Sequence, residues 1–314
     1  MTFQKALITG INGFVGGYLS AYLREQGIAV AGTDVQEVER AKADEYFQAD
    51  ITKPDAVLRV IETVSPDLIF HLAGFSSVSR SFEQPELTYA INVGGTRNLL
   101  DAVRAYTPHA RVVLISSAEV YAPKGEPISE TDPLVTEGSP YTLSRLRQEA
   151  LAGEYEDLDI VISRSFNHIG PGQIEVFVAS SFAKQIAEIT LGKRKPQISV
   201  GNLESVRDFT DVRDMVRAYL LLAEEGLKGE RYNLGSGQGR SIREILDELI
   251  TSSGQAIEVQ IDRSRFRPSD NPYLVCDARK FKRLTGYEAS IPLVRTLSDM
   301  LEYWRRETEV RGRK

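Results

Sequence analysis

The 314-residue chain is 42% hydrophobic and 26% charged, with a formal net charge of −6. That is the balance of a globular protein with room for two lobes, and its acidity argues against a general binder of nucleic acid or membrane surfaces. Cys276 is the only cysteine and His71, His109 and His168 lie far apart, so no disulfide and no metal site is expected. Neither a leader-like start nor a membrane-length apolar run is present, and the cytoplasm is the expected compartment.

The first half alternates short apolar runs with amphipathic segments. Residues 5–10, 29–34, 68–74, 112–116 and 160–166 read as buried strands, and 16–27, 55–64, 92–106 and 139–155 as helices. This alternation predicts an α/β fold, a Rossmann-like doubly wound parallel sheet with helices on both faces. Ligands of such sheets gather at the carboxyl ends of the strands. The less regular second half, with helices at 177–190, 211–226, 241–254 and 292–307, predicts a smaller α/β substrate lobe. The expected domains are 1–166 and 167–314, with some later segments returning to the first.

ITGINGFVGGYL (8–19) places Gly10, Gly13 and Gly16 between the first strand and the first helix. Gly10 would allow a tight turn, Gly13 an approach to a pyrophosphate, and Gly16 close helix–strand packing. Three glycines at this spacing also occur in plain tight turns; the flanking strand and helix favour the nucleotide reading. Asp34 ends the second strand 18 residues after Gly16. A carboxylate there accepts from both hydroxyls of an adenosine ribose and repels a 2′-phosphate, which favours NAD(H) and leaves NADP(H) open. The alternative for Asp34 is a solvated turn aspartate. Asp50 and Ile51, after the third strand, either frame the adenine or, for Asp50, cap the next helix.

Residues 139–145 read SPYTLSR. Ser139 can cap a helix whose first position is Pro140, and Tyr141 and Arg145 then share one face at i and i+4.

With TGINGFVGG, HLAG (71–74), NVGGTRNLL (92–100), SSAEVY (116–121) and SPYTLSR, the sequence resembles the extended short-chain dehydrogenase/reductase family over nearly its whole length. The resemblance implies that Ser117 and Tyr141 are catalytic, and that Arg145 stands where the family carries lysine. It implies nucleotide contacts for Phe14, Val15, Leu72, Ala73, Tyr141 and Arg145. Glu119 matches a glutamate that serves as a base in sugar-nucleotide dehydratases and is also present in related reductases. SFNHIGPGQ (165–173), FVASSFAKQI (177–186), VGNLESVRDFTDVRDMVRAY (200–219) and FRPSDNP (266–272) are similar to the GDP-mannose branch, in particular to GDP-6-deoxy-4-keto-D-mannose reductases. The resemblance further implies a GDP-linked sugar as substrate and a homodimer joined through the helices at 92–106 and 139–155.

At the residue level, Asn167 at a strand end could hold a diphosphate or sugar, or form a turn. Arg207 and Arg267, in segments of loop character, offer the planar donors a diphosphate needs; the alternative for each is a surface ion pair. Asp270 stands where a glutamate is expected. Lys184 reads as a solvated helix residue, and Tyr121 either packs near a nicotinamide or belongs to the core.

The expected chemistry is hydride delivery to C4 of a 4-keto sugar. The oxygen gains charge as hydride arrives and needs a proton or strong donors. Tyr141 would supply the proton and Ser117 a hydrogen bond. A tyrosine is ordinarily too weak an acid near neutral pH, and a cation such as Arg145 stabilises the phenolate it leaves. Three readings stay open: the reductase; a 4,6-dehydratase or NAD-dependent epimerase; and a sugar-nucleotide binder with little catalysis.

Overall fold

The computed structural model describes residues 3–266 and 271–311. In chain order the first part runs β1 (Lys5–Thr9), α1 (Phe14–Glu25), β2 (Ala29–Asp34), β3 (Glu45–Gln48), α2 (Pro54–Val64), β4 (Leu68–His71), α3 (Val78–Glu83) and α4 (Pro85–Tyr89). A π-helical turn (Ala90–Gly94) leads into α5 (Gly95–Tyr106), followed by β5 (Arg111–Ser117), α6 (Pro140–Ala152) and β6 (Asp159–Ser165). The remainder contains β7 (Asn167–Ile169), α7 (Val178–Thr190), β8 (Gln197–Val200), β9 (Val206–Asp211), α8 (Val212–Glu225), β10 (Arg231–Leu234) and β11 (Gly239–Ser241). Then follow α9 (Ile242–Ser253), β12 (Glu258–Ile261), β13 (Tyr273–Leu274), α10 (Arg279–Thr285) and α11 (Leu293–Arg311).

Among the described residues, seven strands form one sheet in the order β10-β6-β5-β4-β1-β2-β3, every pairing parallel. The fold is Rossmann-like. β1, β4 and β5 are buried on both faces, which requires helices on each side. One layer joins Leu19 and Leu23 of α1 to Met215, Tyr219 and Leu222 of α8. The opposite layer joins Val60 and Ile61 of α2 to Leu99, Leu100 and Val103 of α5 and to Leu151 of α6. Thus α8 and β10, though late in the chain, build on the first lobe. The second lobe has its own core, where Phe182 and Ile186 of α7 meet Ile245 and Leu249 of α9 and Leu297, Met300 and Trp304 of α11.

Local chemistry explains several boundaries. Ser139 Oγ accepts from Thr142 N at 3.1 Å and Pro140 opens α6, as the SPYT sequence predicts. Ser241 and Glu244 form a reciprocal capping box on α9. Three expectations need correction. Residues 72–74 are not strand: β4 ends at His71, and the loop beyond it lines the cavity described below. Arg207 lies inside β9, paired with Leu274 and Arg240, rather than in a loop. Asp50 does not cap α2, whose N-cap is Lys53; its carboxylate accepts from Thr52 N and Oγ1 at 2.9 and 2.8 Å and makes a local turn.

Candidate active site

A cavity of about 1220 Å³ opens at the carboxyl ends of the central strands and extends to the second lobe. Small-molecule sites span roughly 300–1,000 Å³, so this one has room for two ligands side by side. Its walls include Gly10, Gly13, Phe14, Val15, Gly16, Asp34, Asp50, Ile51, Leu72 and Ala73 on one side. Ser117, Glu119, Tyr141 and Arg145 lie at its middle, and Asn167 and Arg207 belong to the second lobe. Arg267 and Asp270 lie outside the described residues.

The first wall is made largely of backbone. Gly10 has φ +72°, and a Cβ there would sit 2.8 Å from Ala73 N, so the loops after β1 and β4 touch where the strand order reverses. A Cβ on Gly16 would stand 2.4 Å from Ile11 O, so only glycine lets α1 lie this close to the turn. The N-cap of α1 is Gly13, with no side-chain hydrogen bond and no acid in the first turn. Its amides and positive dipole end are therefore free of an internal anion and suit a phosphate. Asp34 Oδ2 accepts from Asn12 N and Oδ1 from Gln36 N, both at 3.2 Å. Asn12 also ties down the following loop, donating to Val38 O at 3.0 Å and accepting from Arg40 N at 2.7 Å.

In the middle wall, Tyr141 and Arg145 are nearly buried on α6, with the guanidinium carbon 5.3 Å from the tyrosine ring centre. Ser117 ends β5, and its Oγ accepts from Glu119 N at 3.2 Å. Arg145 Nη1 donates to Ile115 O at 3.0 Å and to Gln148 Oε1 at 2.8 Å, while its buried Nε has no protein acceptor. Ser116, beside Ser117, donates to Glu149 Oε1 at 2.6 Å, and Glu149 is paired in turn with buried Arg164 at 2.7 Å. Tyr121 is buried in a core cluster and also borders the cavity, so the structure is compatible with both readings of it. Its hydroxyl donates to Asn233 Oδ1 at 2.7 Å and accepts from Arg164 Nη1 at 2.9 Å, and burial pushes its pKa up to about 12. Tyr219, bonded to Ser165 Oγ at 2.9 Å, is pushed still higher by burial. Neither phenol is a convenient proton donor.

Behind this wall runs a buried polar chain that sequence reasoning did not find. Gln148 Nε2 donates to Thr96 Oγ1 at 2.8 Å, and Thr96 donates its own proton to Asn92 O at 2.7 Å. Thr96 Oγ1 must then also accept from His71 Nε2, 2.9 Å away. His71 Nδ1 is left to accept from Thr9 Oγ1 at 2.8 Å, and Thr9 Oγ1 accepts from Ala73 N at 3.1 Å. The imidazole is neutral: burial, aided by Arg145, holds its pKa down to about 3. The signal available in the sequence was polar Thr9 and His71 closing otherwise apolar strands. Asn92, on the π-helical turn, accepts from Phe75 N at 2.7 Å and donates to Ser144 Oγ at 2.8 Å, tying that turn to α6.

The second-lobe wall is made of side chains on short strands. Arg207 is buried and Nη1 donates to Val206 O at 2.9 Å. Neighbouring Asp208 points away from the cavity lining and accepts from Ser236 N, Gly237 N and Cys276 N at 2.9, 2.8 and 3.2 Å. Asn167 is exposed at the start of β7, and His168 stacks on Phe14, ring centres 6.4 Å apart, where the lobes meet. Gln173 Oε1 is buried without a protein donor, while Nε2 donates to His168 O at 2.9 Å. Lys184 pairs with Glu175 at 2.9 Å and lies over Trp304.

Comparison with known proteins places these features in a family. The model of the GDP-mannose 4,6 dehydratase family matches residues 7–300. A GDP-6-deoxy-D-mannose reductase of Pseudomonas aeruginosa is 34% identical, with 98% of this chain and 99% of that protein covered. A GDP-mannose 4,6-dehydratase of Yersinia enterocolitica is 27% identical, covering 95% and 93%. Among solved structures, RMD from Pseudomonas aeruginosa complexed with NADPH aligns with a TM-score of 0.85 at 32% identity, over 97% of this chain and 99% of that one. The UDP-glucose 4-epimerase of Thermus thermophilus complexed with NAD gives 0.85 at 27% identity, over 96% and 99%. The chain belongs to the GDP-mannose 4,6-dehydratase family, the branch of the short-chain dehydrogenases/reductases whose motifs its sequence resembles.

Proposed function

We propose that the protein reduces the C4 keto group of a GDP-4-keto-6-deoxy-hexose with a reduced nicotinamide nucleotide. One observation carries the reading: Ser117, Tyr141 and Arg145 stand on the wall of a single cavity, between a glycine turn suited to a dinucleotide and a second-lobe wall bearing Arg207. The similarity to the Pseudomonas reductase supports the choice of substrate.

Gly10, Gly13, Gly16 and the N-terminus of α1 would hold the pyrophosphate, with Asp34 at the adenosine ribose and Leu72 and Ala73 beneath the rest. Asp50 and Ile51 frame the adenine side. Bound there, the nicotinamide supplies hydride to C4. Tyr141 gives its phenolic proton to the C4 oxygen, and Ser117 donates a hydrogen bond to the same atom. Arg145 stabilises the phenolate. Asn167 and Arg207 hold the sugar diphosphate from the other lobe, and we assign Arg267 to the same task on its sequence. The first lobe, 1–166 with α8 and β10, thus carries the nucleotide cofactor, and the rest carries the sugar.

Because Asp34 faces the ribose end, NADH is the preferred donor. Replacing Asp34 with Asn should relieve the penalty against NADPH, and tighter binding of NADPH than NADH to the wild type at matched salt would contradict the assignment. The same reading gives a cytoplasmic homodimer joined through α5 and α6, which mass measurement in solution tests.

Glu119 on the cavity wall favours a second reading, the 4,6-dehydratase, in which it would serve as base. Incubation with GDP-mannose and with its 4-keto-6-deoxy derivative, with and without NADH or NADPH, separates the two. The reductase consumes only the keto sugar, only with reduced nucleotide, and the product gains two hydrogens. Loss of water from GDP-mannose without added reductant identifies the dehydratase.

A further inference from the structure

We propose that Gly74 and Gln148 are positioning residues that adapt this site to an arginine beside the proton-donating tyrosine; this rests on the reading of Arg145 as that cation. Gly74 follows β4, and its φ is outside the left-handed region, so the backbone there does not require glycine. The requirement is lateral. A Cβ at position 74 would lie 2.7 Å from Arg145 Nη2, 3.4 Å from its Cζ and 3.1 Å from Asn92 Oδ1. A flexible side-chain end could ordinarily swing aside, but this one is fixed. Nη1 is held by both Ile115 O and Gln148 Oε1, and the residue is only 6% exposed. Gln148 is itself fully buried and pinned through Nε2 to Thr96. Asn92 is held in turn by Phe75 and Ser144.

The two residues therefore act on the guanidinium from opposite sides. Gly74 leaves the space that Nη2 fills, and Gln148 supplies the acceptor that fixes Nη1. A lysine at 145 has a single slender ammonium and needs neither the space nor the second acceptor. Arg145→Lys should accordingly tolerate changes at 74 and 148 that the wild type does not.

The test is a double-mutant cycle over Gly74→Ala and Arg145→Lys, with a second over Gln148→Leu and Arg145→Lys. Each protein is assayed for thermal midpoint, for NAD(P)H affinity by fluorescence, and for turnover of the 4-keto sugar against pH. Non-additivity is the expected sign of contact. Gly74→Ala should slow turnover roughly tenfold or more with arginine in place, and less than about threefold on Arg145→Lys. Its midpoint penalty should shrink in the same way. Gln148→Leu should slow turnover more in the arginine background than on Arg145→Lys, because a guanidinium left with Ile115 O alone is held less well beside Tyr141. Equal penalties in both backgrounds overturn the proposal, as does coupling in the midpoint with none in turnover or nucleotide affinity. A wild type that turns over neither sugar removes the functional reading alone; the midpoint and nucleotide affinity still decide whether Gly74 and Gln148 position Arg145.

Discussion

The two ends of the cavity are built by different means, and under the proposed reading they would recognise their ligands differently. At the first lobe the wall is backbone: the turn at Gly10–Gly16, the amides of α1, and the loop 72–74 that Gly10 touches. At the second lobe it is side chains, Asn167, Gln173 and Arg207, mounted on short strands or loops that meet only in the folded chain. Backbone recognition needs space that only glycine leaves, so changes there should damage stability and nucleotide binding together. Side-chain recognition can be removed one group at a time. The middle wall, with Tyr141 and Arg145 on one helix, should answer first in turnover.

The middle wall gives the largest expected effect. Tyr141→Phe removes the proposed proton donor and should lower turnover by roughly 10²–10⁴-fold while NAD(P)H titration stays near wild type. Comparable loss of nucleotide affinity would mean that the phenol holds the cofactor rather than the reacting oxygen. At the backbone wall, Gly16→Ala drives a methyl into Ile11 O, Cα and C, all main-chain atoms with no rotamer to yield. A cost of roughly 1–3 kcal/mol in unfolding free energy, with weakened nucleotide binding, is expected from such overpacking. Denaturant unfolding and nucleotide titration read both, and unchanged values would show that the turn can open.

Arg207→Ala sharpens the contrast from the other lobe. A charge-assisted hydrogen bond to a diphosphate contributes about 1.5–3 kcal/mol, so GDP affinity should fall about tenfold or more with NAD(P)H affinity unmoved. Unaltered GDP binding would assign Arg207 to the packing of β9.

The difference between the walls also governs what could be read from the amino-acid order. Glycine spacing is a local steric statement, and Gly10, Gly13, Gly16 and the capped start of α6 could be placed without knowing their neighbours. Short strands such as β7, β11 and β13 have no such signature. They exist because β9 pairs with each of them, and Arg207 consequently looked like a loop residue. The π-helical turn was hidden inside a good helical pattern, and it is what brings Asn92 to Ser144 and Phe75. The chain from Gln148 to Thr9 joins four separate elements, so its members looked unrelated in sequence.

That hidden chain supplies a prediction that depends on pH. Its His71 holds a proton only below about pH 3 when folded and below about 6.5 when unfolded. Between these values the unfolded chain binds the extra proton, so stability is full above about 6.5 and falls as pH drops through the window. The slope should approach 1.4 kcal/mol per pH unit from this residue. His71→Gln should flatten it, read by urea unfolding between pH 7 and 4.5; an identical slope would mean that other groups set the acid limit.

The central claim is that hydride reaches C4 of the sugar under the control of Tyr141. The most direct measurement uses reduced nucleotide carrying deuterium at the transferable position of the nicotinamide, incubated with the GDP-linked 4-keto-6-deoxy sugar, and locates the label by NMR. The account predicts one deuterium at sugar C4 with the wild type and almost none in the same time with Tyr141→Phe. Product formed without label at C4, or GDP-mannose consumed with no reduced nucleotide present, would contradict it.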